Sequence, residues 1–233
     1  MPSSPPSQLA GQAVLIIFAK EPTPGRVKTR LSPPLSPEAA ARLYGQFLED
    51  VLEEMARVPH VSVALAYTPE EGRVFFHDLA APGTHLVAQK GKDLGERLQQ
   101  AFTWGFGQGA ATVLIRNSDS PDLPGWLVLE AKEVLERGRA RVVLGPCPDG
   151  GYYLVGLTTP QPRLFEGINW SGPTVLAETR DRARDLGLAV HQLPPWLDID
   201  TSADLQTFVA WPKSRPAPGW RSYELARELL ATL

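Results

Sequence analysis

The sequence predicts a three-layer α/β/α sandwich built on a mainly parallel sheet with one antiparallel strand. Three observations predict it. Short apolar runs alternate with helical periodicities along almost the whole chain, the pattern of helices covering both faces of one sheet. The first run, residues 13–18, is apolar without a break, as a strand buried on both faces must be. The segment PCPDGG leads from the fifth apolar run straight into the sixth, too soon for a parallel crossover, so the sixth strand runs antiparallel to a neighbour.

The elements follow in order. Residues 1–12 are rich in Pro and Ser and read as a disordered tail. The first strand covers 13–19 and feeds a Pro/Gly loop. Ser36 caps a helix with Pro37 at its first position. Its apolar residues Ala40, Leu43, Phe47, Val51 and Met55 recur at helical spacing. Strands are expected at 61–67 and 84–88. Asp93 caps a helix to about Phe106, with Leu94, Leu98 and Phe102 on one face. A fourth strand at 112–116 precedes a helix at about 125–137. A fifth at 141–145 is followed by a sixth at 152–157. A helix opening at Ser171 or Thr174 runs to about Leu186, before a last strand at 188–193. Thr201 and Asp204 have the spacing of a capping box. The Pro-rich stretch WPKSRPAPG separates a terminal helix at 223–230, so the division reads as a tail to residue 12, one domain over 13–211, and a link and helix over 212–233 packed on that domain.

Composition narrows the function. The 233 residues suit one large α/β domain. A net charge of −3 leaves no basic face for polymeric nucleic acid. Cys147 is the single cysteine, which rules out an intrachain disulfide and fits a reducing cytosol. His60, His77, His85 and His191 show no zinc-ligand spacing. The N-terminal residues lack the regions of a signal peptide, and no apolar run has the roughly 18 residues of a membrane span. A cytoplasmic protein without a membrane partner is expected.

The chemistry concentrates in the loops after the strands. In open α/β sheets ligands bind at the carboxyl ends of the strands. The loop after the first strand, within FAKEPTPGRVKTRL, carries Lys20, Gly25, Arg26, Lys28 and Arg30. Its four cations stand at even positions and would share one side of an extended loop, which calls for an anion such as a nucleotide or another phosphate ester. Carboxylates end three other strands. Asp119 and Asp122 follow the fourth, Asp149 the fifth, and Asp198 and Asp200 the last. Such hard oxygen donors suit Mg²⁺ or Mn²⁺. Gly150 and Gly151 permit close approach of a ligand, and equally a tight turn. Tyr152 and Tyr153 point to opposite faces of their strand, so one is available to a sugar or base pocket. Trp170 is a packing anchor with an acceptor-side role as the alternative. Familiar motifs are missing: Val27 precedes Lys28-Thr29 where a P-loop has glycine, no Gly-x-Gly-x-x-Gly follows the first strand, and Ser118–Ser120 form no nucleophile elbow.

Four ordered motifs now carry a resemblance: FAKEPTPGRVKTRL, SDSPDLP, LGPCPDGGYYLVGL and DIDTSADL. Together they resemble a family of small bacterial glycosyltransferase-like proteins long catalogued as a domain of unknown function. Its members are often labelled nucleotide-diphospho-sugar transferases, and some accompany arsenosugar biosynthesis. The family is similar in fold to the GT-A nucleotide-sugar transferases. It is also similar to molybdenum-cofactor guanylyltransferase and to phospholactate or phosphoenolpyruvate guanylyltransferase. The resemblance implies that Lys20, Gly25, Arg26, Lys28, Arg30 and Ser118 meet the nucleotide and its phosphates. It implies that Asp119 and Asp200, with Asp198, hold Mg²⁺ or Mn²⁺. Asp119 and Asp149 are then the catalytic carboxylates, with Gly150, Gly151, Tyr152 and Trp170 on the acceptor side. Asn117 stands where this family has glycine, and the first loop lacks the Gly-Gly-x-Ser-x-Arg-Met-Gly pattern of the guanylyltransferases. The expected activity is metal-dependent transfer from a nucleotide sugar to a small acceptor. The alternative is nucleotidyl transfer from a nucleoside triphosphate to a phosphorylated acceptor, releasing pyrophosphate. A non-catalytic nucleotide-binding module would use the same loop, but need not keep Asp119, Asp149 and Asp200 together.

Overall fold

A computed structural model describes residues 9–210 and 219–232. Its elements are β1 (Ala13–Lys20), α1 (Pro37–Ala56), β2 (Val61–Thr68), α2 (Arg73–Leu79), β3 (His85–Ala88), α3 (Leu94–Gly107), β4 (Thr112–Arg116), α4 (Gly125–Glu136), β5 (Val142–Pro146), β6 (Tyr152–Leu157), α5 (Val175–Asp185), β7 (Val190–Gln192), α6 (Ser202–Val209) and α7 (Arg221–Ala231). The seven strands form one sheet in the order β3-β2-β1-β4-β6-β5-β7. Only β6 is antiparallel to its neighbours β4 and β5, as the short PCPDGG connection requires.

The chain moves outward from β1 through β2 to β3 and then returns to place β4 on the other side of β1. This is a switch point, and it opens a crevice between the loops that follow β1 and β4. Residues along β1 alternate between the two faces. Leu15, Ile17 and Ala19 join the core under α1, α4, α6 and α7, and Val14 and Ile16 join the core beneath α3 and α5. The three-layer α/β/α architecture is therefore the one expected.

Several details differ from the sequence expectation. The short helix α2 was not anticipated; its RVFFHDL follows a 3-10 turn and is too short to show a clear period. Asp122, one of the two carboxylates after β4, accepts from Trp196 Nε1 at 3.1 Å, and the Gly125 amide at the start of α4 donates to Glu54 of α1 at 3.0 Å. The last strand is shorter than expected. Of the segment expected to be a disordered tail, residues 1–8 lie outside the described residues, whereas Leu9 is buried and the Gly11 amide donates to the Gly109 carbonyl at 2.9 Å. In the Pro-rich link, residues 211–218 likewise lie outside the described residues. The helix beyond it, α7, packs on α1 and α6. Among the described residues, no helix is long and apolar enough to cross a membrane.

Candidate active site

The loops beyond β1, β4, β5 and β7 enclose a cavity of about 750 Å³ at the carboxyl edge of the sheet. The β1 loop contributes Lys20, Arg26, Lys28 and Arg30 to its wall, the β4 loop Ser118 and Asp119, and the segment after β7 Asp198 and Asp200. The far wall holds Asp149, Gly151, Tyr152 and Trp170. The cations and carboxylates picked out between Lys20 and Asp200, Asp122 apart, thus share one space. Gly25 and Gly150 do not line it. Gly25 turns the β1 loop at φ +72. At Gly150, φ is +92 and a side chain would collide with the Pro173 carbonyl, while its own carbonyl accepts the Leu176 amide at 2.8 Å. Gly150 therefore anchors the β5–β6 turn to the start of α5.

Lys28 organises the centre. Its Nζ lies 2.5 Å from Asp119 Oδ1, 2.9 Å from Asp200 Oδ1 and 2.7 Å from the Ile199 carbonyl oxygen. Its side chain is only 3 % exposed, with Nζ 5.8 Å from the Tyr44 ring centre and 5.6 Å from that of Phe47. Burial alone would lower the lysine pKa, but the carboxylates of Asp119 and Asp200 outweigh it and hold it above the usual lysine value. Lys28 is therefore a fixed cation at neutral pH. Arg30 is 67 % exposed and reaches Asp200 Oδ2 only at 3.9 Å, so its guanidinium remains available to a ligand.

The expected metal ligands do not form a single shell. Asp119 and Asp200 meet at Lys28, but Asp198 is turned elsewhere. It accepts from Asn117 Nδ2 at 2.8 Å, Ser120 Oγ at 2.5 Å and Cys147 Sγ at 3.2 Å. Burial, with the nearby charge of Asp119, pushes its pKa up to about 6. Among the described residues, no three His, Cys, Asp or Glu side chains gather to hold an ion. The Asn117 side chain also accepts the Asp119 amide at 3.3 Å. Asp198 thus steadies the β4 loop through Asn117.

Ser118 faces inward as well as lining the cavity. Its hydroxyl donates to the Phe18 carbonyl at 2.9 Å, so Tyr44 is the donor in their 2.7 Å contact, and Tyr44 in turn accepts the Lys20 amide at 3.1 Å. This chain ties α1 and the ends of β1 and β4 together. Burial, followed by the charge of Asp119, pushes the Tyr44 pKa up to about 12, so its phenol stays protonated. The tyrosine pair divides as the strand alternation requires: Tyr153 donates to the Pro194 carbonyl at 3.0 Å within one core, and Tyr152 packs in the other. Trp170 lies against the first turn of α3, where a side chain on Gly95 would come 2.6 Å from its Nε1.

Four contributors were not singled out from the sequence. Tyr44 sits on an amphipathic helix face beside Leu43, and only its hydroxyl distinguishes it from a core residue. Gln89 crosses the ends of β1 and β2, donating to the carbonyls of Ala19 and Ala66 at 3.1 and 2.8 Å. Arg97 lines the cavity from α3 and donates from Nε to the Gly91 carbonyl at 3.2 Å. Arg116 ends β4, is buried, and donates to the carbonyls of Asn117 and Ser120 at 2.8 and 2.7 Å. Burial lowers its pKa to about 10. Its Nη1 has no hydrogen-bond partner among the described residues. An arginine inside an apolar run is the one sequence signal that marks it.

Comparison with known proteins agrees with this architecture. Residues 51–172 match the family described as uncharacterized proteins conserved in bacteria, DUF2064. The structure is similar to a putative nucleotide-diphospho-sugar transferase from Desulfovibrio desulfuricans G20. The TM-score is 0.86 at 35 % identity, over 95 % of this chain and 96 % of that one. Its fold is also similar to CMP:2-keto-3-deoxy-manno-octonic acid synthetase complexed with CTP, with a TM-score of 0.55 at 14 % identity over 84 % and 96 % of the two chains. A further likeness is to Rv0371C of Mycobacterium tuberculosis H37Rv in complex with manganese, with a TM-score of 0.51 at 12 % identity over 85 % and 97 %. No protein among the curated ones matches the sequence. The family match and the close relative show that the chain belongs to the DUF2064 family and is a transferase of the nucleotide-diphospho-sugar transferase fold.

Proposed function

We propose that the protein transfers a glycosyl group from a nucleotide sugar to a small acceptor, with a divalent metal bound beside the donor's phosphates. One observation carries this reading: the cations of the β1 loop and the carboxylates of three other strand ends line a single cavity at the switch point of the sheet. Exposed Arg26 and Arg30 suit bidentate contact with a diphosphate. Asp119 and Asp200 already converge on one cation, which is the donor set Mg²⁺ or Mn²⁺ accepts when substrate phosphates complete the shell. Bound there, the metal would neutralise charge on the departing phosphate.

On the opposite wall, Asp149 is exposed to the cavity and held by the Gly151 amide at 3.0 Å. It is placed to take the acceptor's proton as the acceptor oxygen bonds to the sugar carbon and the nucleoside diphosphate leaves. Tyr152 and Trp170 supply an apolar wall on that side. The fold's likeness to a CTP-bound synthetase favours a second reading, nucleotidyl transfer with release of pyrophosphate.

Product analysis separates the two. The enzyme is incubated with Mn²⁺, nucleotide sugars or nucleoside triphosphates, and a panel of hydroxyl and phosphate acceptors. Acceptor-dependent release of nucleoside diphosphate from a nucleotide sugar is the expected result. Pyrophosphate release from a triphosphate in place of it overturns the glycosyl reading.

A further inference from the structure

The two carboxylates available to a metal are already occupied. Asp119 and Asp200 share the ammonium of Lys28, and its third acceptor is the Ile199 carbonyl. A lysine has three ammonium protons, so this position satisfies all of them. A divalent ion bound by the same oxygens would stand where the ammonium stands, and two cations cannot share that point.

We propose that Lys28 is an internal cation that closes the Asp119–Asp200 pair to divalent ions until the donor's phosphates draw its ammonium away. The proposal rests on the donor assigned above and adds how metal and donor enter: as a coupled pair. Two further features support it. Lys28 has φ 46 and ψ 38, the left-handed conformation that a non-glycine residue seldom takes. This unfavourable backbone lies in the loop whose exposed Arg26 and Arg30 would receive the phosphates. Nearby, buried Arg116 lines the same cavity and keeps Nη1 without an acceptor among the described residues, so one guanidinium donor beside the site is unpaired. Phosphates entering the cavity offer Lys28 new partners and free both carboxylates together. Metal and donor must then strengthen each other's binding by the same factor.

Mn²⁺ titration of the full chain, followed by the electron paramagnetic resonance of the free ion, tests this with UDP, GDP, CDP and ADP as probes. The wild type is expected to bind Mn²⁺ weakly alone and at least about tenfold more tightly with a nucleotide that it accepts, after the ion chelated by the nucleotide alone is subtracted. Lys28→Met should bind Mn²⁺ alone at least about tenfold more tightly than the wild type, and Lys28→Arg, which keeps a cation, should not. A Met variant no tighter than the wild type overturns the proposal. If that variant does not fold, Lys28→Gln, which also removes the charge, decides by the same comparison: Mn²⁺ bound more tightly than by the wild type supports the internal cation, and no gain overturns it. If the folded Met variant gains affinity while no nucleotide alters metal binding or the melting temperature of the wild type, the internal cation stands and the nucleotide donor is what fails.

Discussion

At the scale of single residues, burial and neighbouring charge move the protonation of several polar groups around the cavity away from their ordinary values. Cys147 shows the consequence. It is buried, and its Sγ donates to Asp198 Oδ2 at 3.2 Å. Burial, followed by the charge of Asp198, pushes the thiol pKa well above the ordinary cysteine value. The thiolate is the reactive form, so a cysteine two residues from Asp149 in the same turn is chemically silent. Native protein at pH 8 should be alkylated by iodoacetamide at least about a hundredfold more slowly than protein unfolded in guanidinium, as followed by intact mass. Comparable rates would show that the thiol is accessible and the Asp198 contact open. Asp198 has a similar lesson. Its position two residues before Asp200 implies a shared metal, because alternate residues share one side of an extended segment, but only while that segment is straight. Here Asp198 serves Asn117, Ser120 and Cys147, and side-chain direction of that kind cannot be read from spacing.

At the scale of elements, the site depends on how each strand ends and each helix begins. The Asp200 carboxylate is aimed by the capping box that starts α6. Thr201 Oγ1 accepts the Asp204 amide at 3.3 Å, and Asp204 Oδ2 accepts the amides of Thr201 and Asp200 at 2.7 and 3.2 Å. Thr201→Ala should cost about 1–2 kcal/mol, the usual value for losing such a cap. For a chain of this size that lowers the melting temperature by roughly 2–8 °C, and Thr201→Ser should recover most of it. A thermal melt of both variants checks this, and an unchanged melt for the Ala variant would mean that the cap carries no stability. This cap was legible in advance because both of its residues have strong local preferences. The strands and their order of appearance were legible for the same reason: continuous apolar runs with no helical period have few other solutions. What stayed hidden was carried by residues whose pattern looks like core. Tyr44 and Arg116 lie in buried rows of α1 and β4, and α2 spans too few residues to declare a period. The convergence of the acidic loops was legible only as a consequence of topology, because β4 returns to the side of β1.

At the scale of the whole molecule, the cavity edge is stiffened from a distance by the last helix. α1 carries Tyr44 and Phe47 against Lys28, and α7 packs along the same α1. The link between the helices is Asp50, buried in the middle of α1. Its two carboxylate oxygens accept the first amides of α7, Arg221 N at 3.1 Å and Ser222 N at 2.8 Å. Arg221 then reaches across to Glu53 at 2.9 Å; this pair is exposed and adds little on its own. Above it, Phe208 of α6 lies between Phe47, Trp220 and Tyr223, with ring centres 5.8 to 6.3 Å apart. A carboxylate from one helix thus caps another, and an aromatic cluster closes the gap. Removing it leaves buried amide donors without acceptors, which costs about 1–3 kcal/mol. Asp50→Ala should therefore lower the melting temperature by roughly 2–12 °C, while Asp50→Asn, which keeps one carbonyl acceptor, should lose less. Hydrogen exchange locates the effect: protection should fall at the start of α7 and in α1 near Tyr44, and remain unchanged in β5 and β6. Exchange that rises uniformly across the sheet would show that Asp50 supports the whole fold and not the joint between α1 and α7. Unchanged exchange in α1 would show that the terminal helix is a passenger.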